Sequence, residues 1–294
     1  MFKNISYLYV SASVILWGST AAVAKLLLED MSSLQILFYT SLISAISLFI
    51  IILFQKKLPL IRTYRKKDYW KFMYMGFIGI FLYYIFLFQG LTYAPAQEAF
   101  IVNYTWPIWV IIFAILILKE KIGIRKIVAI LLGFIGVYFV ATKGEFVGIE
   151  NLKGDLFALA GAISYGLFSV LTKKHNHEKF TSMMFYNIFT FIFIAITAIF
   201  VFKVPVIESR QVLGLLWLGV MTSSLAHIFW FLALKYGDTA KMSGIIYLTP
   251  FVSLVYIYIL LKESILISSV VGLIIIVAGI VLQSDLFRKK EFID

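Results

Sequence analysis

Residues 103–120 read NYTWPIWVIIFAILILKE, and a related stretch, IYLTPFVSLVYIYILLKE, occupies residues 246–263. Pro107 and Pro250 match across the two stretches, as do the Lys-Glu pairs at 119–120 and 262–263, always 143 positions apart. The second half of the chain therefore repeats the first, and we divide it into residues 1–143 and 144–294. The same offset, growing to 148 towards the start of each half, relates further pairs: Gly76 with Gly219, Tyr93 with Tyr236, Gly136 with Gly279, and Trp17-Gly18 with Tyr165-Gly166.

The composition is that of a membrane protein. Hydrophobic residues make up 62% of the chain and charged residues only 14%, against about 25% charged residues in soluble proteins. The net charge of +11 comes from basic residues in short loops, so membrane orientation explains it better than nucleic-acid binding. Cysteine is absent, which excludes disulfides and thiolate metal sites.

Ten apolar stretches are close to the length of about 20 residues that one bilayer crossing requires. Because the bilayer interior offers no water to backbone groups, these stretches are predicted to be helices, which makes the chain an all-α integral membrane protein. The predicted spans are 7–27, 34–54, 70–92, 96–118, 124–142, 154–173, 181–202, 211–235, 239–261 and 266–284.

The distribution of basic residues predicts the orientation. With a cytoplasmic N-terminus, most of the 26 Lys and Arg fall in cytoplasmic loops, including Arg65-Lys66-Lys67 and Arg288-Lys289-Lys290. This bias predicts that both termini are cytoplasmic. Five helices per repeat is an odd number, so the second repeat enters the membrane in the opposite direction. Inverted repeats of this kind are typical of transporters, with the substrate site near mid-membrane where the repeats meet.

This pattern resembles the drug/metabolite transporter superfamily, in its EamA-type branch. The resemblance covers nearly the whole chain, and residues 97–107, QEAFIVNYTWP, are further similar to helix 4 of YddG-type amino-acid exporters. It implies a secondary transporter that exports aromatic or other neutral amino acids, or related small metabolites, across the bacterial inner membrane by alternating access. The motifs that carry it are Trp17-Gly18, Asn103-Tyr104-Thr105-Trp106-Pro107, Leu118-Lys119-Glu120, Leu248-Thr249-Pro250 and Lys262-Glu263.

The sequence leaves other substrates and other classes of membrane protein to consider. Nucleosides or cationic drugs are alternative substrates for the same fold. A membrane enzyme would need a cluster such as His-Glu-x-x-His, and ATP drive would need a Walker motif, and the sequence has neither. A non-transporting subunit has no need of the matched prolines. The expected partners are a small-molecule substrate and membrane lipid, with no nucleic acid, cofactor or metal. A monomer suffices because the fused repeats supply both halves.

Two prolines and one amide are candidate functional residues in the repeated helices. Pro107 and Pro250 remove a backbone donor at equivalent positions, which predicts kinks that act as hinges; the alternative is simple tolerance by neighbouring helices. Asn103 places an amide in hydrocarbon, so it should face protein or a cavity. We predict that it binds the substrate, the alternative being a hydrogen bond between helices.

Aromatic side chains are numerous in the same helices. Their faces can hold an ammonium group and stack on an aromatic substrate, although others serve only for packing. Trp17, Tyr84, Trp106 and Tyr247 are the predicted substrate contacts by position and duplication. The wider set also contains Tyr83, Tyr104, Tyr165 and Trp230.

Ionisable residues are rare within the spans, and Glu98 and His227 stand out. His227 could couple transport to protons, or could be a neutral histidine bonded between helices. Glu98 follows Pro95 by three residues, so it could simply complement the start of a helix. We predict instead that it contributes to substrate binding in the outward cavity, and to proton coupling. Lys25 either extends to the membrane surface or holds a carboxylate at the outer mouth.

Overall fold

The computed structural model describes residues 3–119, 124–145, 150–175, 177–201, 207–236, 245 and 248–283. All regular secondary structure within these residues is helical, as predicted. The helices are α1 (Lys3–Gly18 and Thr20–Leu27), α2 (Ser33–Phe54), α3 (Lys66–Tyr93), α4 (Ala96–Asn103 and Trp106–Leu118), α5 (Ile124–Ala141), α6 (Leu152–His175), α7 (Lys179–Val201), α8 (Ser209–Leu216, Trp217–Leu225 and Ala226–Tyr236), α9 (Thr249–Leu261) and α10 (Ile267–Gln283), with a short helix at Leu58–Ile61.

Each of the ten predicted spans is helical over all or part of its length. Seven helices are long and apolar enough to cross a membrane, namely α1 to α4 and α6 to α8. α5, α9 and α10 contribute shorter apolar segments. The first ten residues of the predicted ninth span, 239–248, lie almost wholly outside the described residues. This is a multi-pass membrane fold.

Local sequence sets several helix ends. Ser32 begins α2 with a capping box, since its hydroxyl accepts from the Gln35 amide at 3.3 Å and its own amide donates to the Gln35 side chain at 2.8 Å. Four lysines in the left-handed conformation follow α2, α4, α5 and α9 and stop them. They are Lys56 (φ 55°), Lys119 (φ 55°), Lys143 (φ 53°) and Lys262 (φ 57°). The lysine of the repeated Lys-Glu motif is therefore left-handed and terminates a helix.

The third helix of each repeat contains a stretch of wider π-helical turns, Phe77–Leu82 in α3 and Trp217–Leu225 in α8. Such turns shift backbone carbonyl groups out of their usual register. Side chains from the neighbouring first helix of the other repeat bond to carbonyls there. Ser164 donates to Ile78 O at 2.6 Å, and Trp17 Nε1 donates to Thr222 O at 3.2 Å. The wide turns thus serve as matching attachment points between the repeats.

Helix packing is conserved when the two repeats are exchanged. α1 packs on α8 and α9, while α6, its equivalent, packs on α3 and α4. α2 packs on α8 and α7 packs on α3 in the same way. The remaining large contacts, α2 with α7 and α5 with α10, each join two equivalent helices. Exchanging the repeats therefore leaves these contacts unchanged. A pseudo-two-fold axis therefore relates the repeats, and most of the packing is between repeats rather than within one.

Two glycines at repeated positions allow two of these contacts. A Cβ at Gly18 in α1 would lie 2.8 Å from Val252 Cγ1 in α9. A Cβ at Gly166 in α6 would lie 2.5 Å from Trp109 Cβ in α4. Trp109 and Val252 are themselves 143 positions apart. The same close helix contact therefore occurs twice, once between α1 and α9 and once between α6 and α4.

Equivalent positions lie at opposite ends of the bundle. Lys25, near the end of α1, donates to Ala94 O at 2.8 Å, just beyond the last residue of α3. Its repeat partner, Lys173, lies two residues before His175, whose ring is hydrogen-bonded to Tyr74 in the first part of α3. The first helices of the two repeats therefore end at opposite ends of α3, as inverted repeats require.

Two apolar clusters fill the bundle on either side of its centre. We call the end that holds Lys25 the Glu98 end and the end that holds His175 the Asp68 end. The cluster towards the Glu98 end includes Leu87, Leu91 and Phe100, and the one towards the Asp68 end includes Phe72 and Met183.

Candidate functional site

A cavity of about 780 Å³, open solvent included, lies between the two apolar clusters. α1, α3, α4, α6, α8 and α9 all contribute to its wall, so it lies at the junction of the two repeats. Most of the wall is aromatic, which makes the cavity both apolar and rich in ring faces. The aromatic residues that line it are Trp17, Tyr83, Tyr84, Phe100, Tyr104, Trp106, Tyr165 and Trp230.

The two sides of the cavity are built from equivalent positions of the two repeats. On one side, Trp17 meets His227 edge to face with ring centroids 4.9 Å apart. On the other, Trp106 meets Tyr165 edge to face at 5.1 Å. Edge-to-face pairs of this kind favour a fixed ring orientation. In the repeat, the position of Trp17 corresponds to that of Tyr165, His227 corresponds to Tyr84, and Thr249 corresponds to Trp106.

Asn103 lies on the cavity wall and is also bonded to other helices. Its Nδ2 donates to Ala158 O in α6 at 3.1 Å, and its Oδ1 accepts from the Tyr83 hydroxyl at 3.4 Å. Gly161 leaves room for the amide, since a Cβ there would lie 2.8 Å from Nδ2. An amide nitrogen has two hydrogens, so the interhelical bond leaves a second donor for a solute.

Helix breaks bring the residues before both prolines to the cavity. α4 is interrupted at Tyr104 and Thr105, and Pro107 is the second residue of its next segment. Pro250 is likewise the second residue of α9, a position where its missing N–H costs nothing. Trp106 and Thr249, immediately before the prolines, both line the cavity. The hinge role of the prolines stays a prediction.

His227 is a buried imidazole on the cavity wall, with 8% of its surface exposed. Its Nδ1 has no hydrogen-bond partner among the described residues. Trp17 is its aromatic neighbour, and no described carboxylate forms an ion pair with it. The ring is therefore a buried part of the cavity wall.

A second cavity of about 690 Å³ extends the first towards the Asp68 end. Tyr165, His227 and Trp230 line both cavities, so the two adjoin. The second cavity reaches His177 and Lys179, at the junction of α6 and α7. The two adjoining cavities therefore extend from the centre of the protein towards the Asp68 end.

The Glu98 end is closed by polar contacts. Lys25 bridges α1 to the end of α3, donating to Leu91 O and Ala94 O. The Glu263 carboxylate, in the loop after α9, accepts from the Ala96 amide at 3.1 Å. Lys25 thus binds backbone carbonyl groups of the closed end in this conformation.

Gln97 completes the closure. Its side-chain nitrogen donates to Ser264 O at 2.9 Å, and its side-chain oxygen accepts from the Leu266 amide at 3.2 Å. The start of α4 is therefore bonded to the loop between α9 and α10 through both atoms of one amide. Among the described residues, polar contacts tie the Glu98 end together, while the described cavities extend towards the Asp68 end.

Comparison with known proteins identifies this architecture. A model described as the EamA-like transporter family matches residues 4–142 and again residues 152–284. The chain belongs to this family. It is therefore a membrane transporter and not an enzyme, as the sequence predicted.

Relatives within the EamA-like transporters align over nearly their whole length. The uncharacterized transporter YoaV of Bacillus subtilis is 26% identical over 286 residues, covering 94% of this chain and 96% of the relative. YvbV of the same organism is 27% identical, covering 98% and 94%. An uncharacterized transporter of Archaeoglobus fulgidus is 24% identical, covering 95% and 97%. A solved crystal structure with 20% identity superposes with a TM-score of 0.71 over 98% of this chain and 99% of the other, which shows a shared fold.

The structure brings together most of the candidate residues of this EamA-like transporter. Trp17, Tyr84, Asn103, Trp106 and His227 line one cavity. Tyr247 lies outside the described residues. Glu98 is not among the described lining residues and is buried near the closed end.

Other residues of the site were not singled out from sequence. Thr20, Phe100 and Thr249 line the cavity, and Asp155 lies beside Glu98. Thr249 precedes a repeated proline, which is a usable signal. Asp155 was overlooked because it lies close to a helix end, where charged residues are common.

Proposed function

We propose that this protein is a secondary transporter that exports amino acids with aromatic or other neutral side chains, or closely related metabolites, across the bacterial inner membrane by alternating access. The observation that carries the proposal is the aromatic cavity between inverted repeats, which a second cavity extends towards the Asp68 end. The resemblance of residues 97–107, which include Asn103 and Trp106, to YddG-type exporters supports the same substrate class.

The chemistry of the cavity wall favours a zwitterion. No Asp, Glu, Lys or Arg is among the described residues that line the central cavity. A solute with a net charge would therefore lose its hydration without gaining a counter-charge. An amino acid carries both charges itself, its ammonium group can lie against aromatic faces, and its carboxylate can accept from Asn103, Thr20 or Thr249.

The direction of opening supports export. The Asp68 end carries Arg65-Lys66-Lys67 and is the cytoplasmic end under the positive-inside rule. A cavity open towards that end can take up its solute from the cytoplasm. Opening of the Glu98 end, with separation of Gln97 and Glu263 from their partners, then releases the solute outside.

Counterflow in proteoliposomes tests the proposal. Vesicles preloaded with single unlabelled amino acids are placed in a trace of labelled phenylalanine or threonine. We expect trans-stimulated uptake of label, strongest with aromatic amino acids inside. Uptake stimulated only by nucleosides or by a cationic drug in the same assay would contradict the amino-acid assignment.

Two matched amide variants make the assay specific to the site. Asn103→Ala should abolish most of the counterflow, since it removes the amide donor from the cavity wall. Asn187→Ala removes an equally buried amide whose hydrogen bond among the described residues lies within its own helix, to Met183 O at 2.9 Å. It should keep near-normal counterflow. Equal loss in both variants at equal membrane expression would remove Asn103 from the binding site.

A further inference from the structure

Two carboxyl groups are buried together at the closed end. Glu98 is the third residue of α4 and Asp155 the fourth of α6, with 3% and 6% of their surfaces exposed. The two carboxyl groups are neighbours that interact directly with each other. They belong to different repeats, so their contact joins the two halves of the protein.

Glu98 has a hydrogen-bond donor among the described residues, whereas Asp155 has none. The Asn151 side chain donates to both oxygens of Glu98, at 3.2 and 3.0 Å. Both oxygens of Asp155 are buried and have no donor among the described residues. A buried carboxylate without donors is costly, whereas a proton placed between the two groups would give Asp155 a hydrogen bond.

The nearby charged groups are engaged elsewhere, although the charge of Lys143 also attracts Glu98. Lys143 is ion-paired with Glu150, and Lys153 lies over the Tyr93 ring at 3.6 Å. The remaining charges on helices packed against the start of α4 are already engaged elsewhere: Lys25 with carbonyl groups of the α3 end, and Glu263 with the Ala96 amide. No described cation forms an ion pair with Glu98 or Asp155.

We propose that Glu98 and Asp155 form a proton-binding site, which holds one shared proton while the Glu98 end is closed and releases it when that end opens. Two adjacent carboxylates repel each other, so one proton between them replaces repulsion by an O–H···O hydrogen bond. The starts of α4 and α6 stabilise the one negative charge that remains.

The site is placed to sense the closure of this end. Glu98 follows Gln97, which bonds to Ser264 and Leu266 across the closure. When those contacts separate, water reaches the pair, the shared O–H bond breaks, and the proton passes to water to leave two solvated carboxylates. Because the closed state binds the extra proton, a lower pH on the Glu98 side favours closure and a higher pH favours opening.

Infrared spectroscopy of the purified full-length protein tests the site directly. At neutral pH we expect a carbonyl absorption of a protonated carboxyl group, recognised by its shift in D₂O. Glu98→Gln and Asp155→Asn should each remove it, because the remaining carboxyl group then has an amide neighbour and ionises. Glu29→Gln, which changes an exposed carboxylate at the same end, should keep it.

The infrared result overturns the proposal if the wild-type band is missing or survives both variants. Loss of the band on addition of sodium chloride would overturn it too, by showing a metal cation in place of the proton.

The link to opening rests on the proposed function and needs a transport measurement. Raising the pH on the Glu98 side should increase counterflow by up to about tenfold per pH unit, the limit for one linked proton. Glu98→Gln should flatten this dependence. A dependence kept in Glu98→Gln and lost in His227→Gln would place the proton in the central cavity and overturn the proposal. Failure of counterflow itself, with the infrared band intact, would count against the transport function alone.

Discussion

At the scale of single residues, Trp106 is the aromatic side chain that the repeat most clearly sets apart. It precedes Pro107, follows the break in α4 and meets Tyr165 across the cavity. Its partner position in the second repeat holds Thr249, so this large ring is present on one side only. An asymmetric aromatic wall can orient a solute that has one aromatic end.

We predict that Trp106→Leu raises the half-saturation concentration for aromatic amino acids about tenfold. The reason is loss of one ring contact, worth about 0.5–2 kcal/mol, where 1.4 kcal/mol corresponds to a factor of ten. Concentration-dependent counterflow measures it. Trp70→Leu is the matched control, because Trp70 is 58% exposed and remote from the cavity. An unchanged half-saturation value in Trp106→Leu would exclude the ring from the binding site.

Two candidate residues whose chemistry is unusual for their surroundings lie on the cavity wall, and their roles stay predictions. Asn103 and His227 are polar groups in apolar helices, and both reach the cavity. Asn103 and Trp106 are three positions apart, but α4 is broken between them, so helical spacing alone does not fix how they face each other. Depth along the bundle is also invisible to helical spacing, and the role of Glu98 in an outward cavity stays a prediction.

At the scale of helices, the left-handed lysines are the least expected feature. A left-handed conformation costs a non-glycine residue roughly 1–2 kcal/mol, and four lysines adopt it at helix ends. Lys262 is exposed, and its side chain makes no hydrogen bond or ion pair among the described residues. Its conformation is therefore the property through which a substitution would act.

We predict that Lys262→Gly raises the stability of the folded protein by about 1 kcal/mol, since glycine adopts this conformation without strain. Lys262→Val should lower stability by at least a similar amount, because a β-branched side chain is poorly tolerated there. Thermal unfolding in detergent compares the two. Equal melting temperatures for the glycine and valine variants would show that the backbone at Lys262 is not left-handed.

Helix existence was predictable and helix irregularity was not. Long apolar stretches and the capping signal at Ser32 are local properties of the sequence. The wide turns at Phe77–Leu82 and Trp217–Leu225 depend on contacts with side chains such as Ser164 and Trp17, more than 80 positions away. No local pattern encodes such contacts.

At the scale of the whole molecule, the described cavities extend towards one end, and the described polar contacts tie the other end together. The second cavity reaches Thr172, and the exposed Glu29 lies at the opposite, closed end. The chain has no cysteine, so a single introduced thiol reports on one position without background. Accessibility therefore tests orientation and opening together.

We predict that Thr172→Cys reacts with a membrane-impermeant thiol reagent only from the cytoplasmic face, and Glu29→Cys only from the outer face. The positive-inside rule gives this assignment. Labelling of intact cells and of inverted membrane vesicles measures it. The reverse pattern would show that both termini are outside, and labelling of both thiols from one face would contradict the helix topology.

Repetition made the global architecture readable from sequence, because an odd number of helices per repeat forces inversion. Which end is closed could not be read, since one sequence serves every state of the cycle. The closing contacts of Gln97 and Glu263 are largely to backbone atoms, and contacts of that kind impose no pattern on the partner residue.

The matched contacts of Gly18 with Val252 and of Gly166 with Trp109 have an evolutionary consequence. Each half contacts the other through the same surface, which makes the interface isologous. A five-helix ancestor with this surface would pair with a second copy of itself inserted upside down. In one fused chain the two copies need not be identical, and one wall carries His227 and Thr249 where the other carries Tyr84 and Trp106. Asymmetric recognition is what the fused chain gained over the symmetric pair.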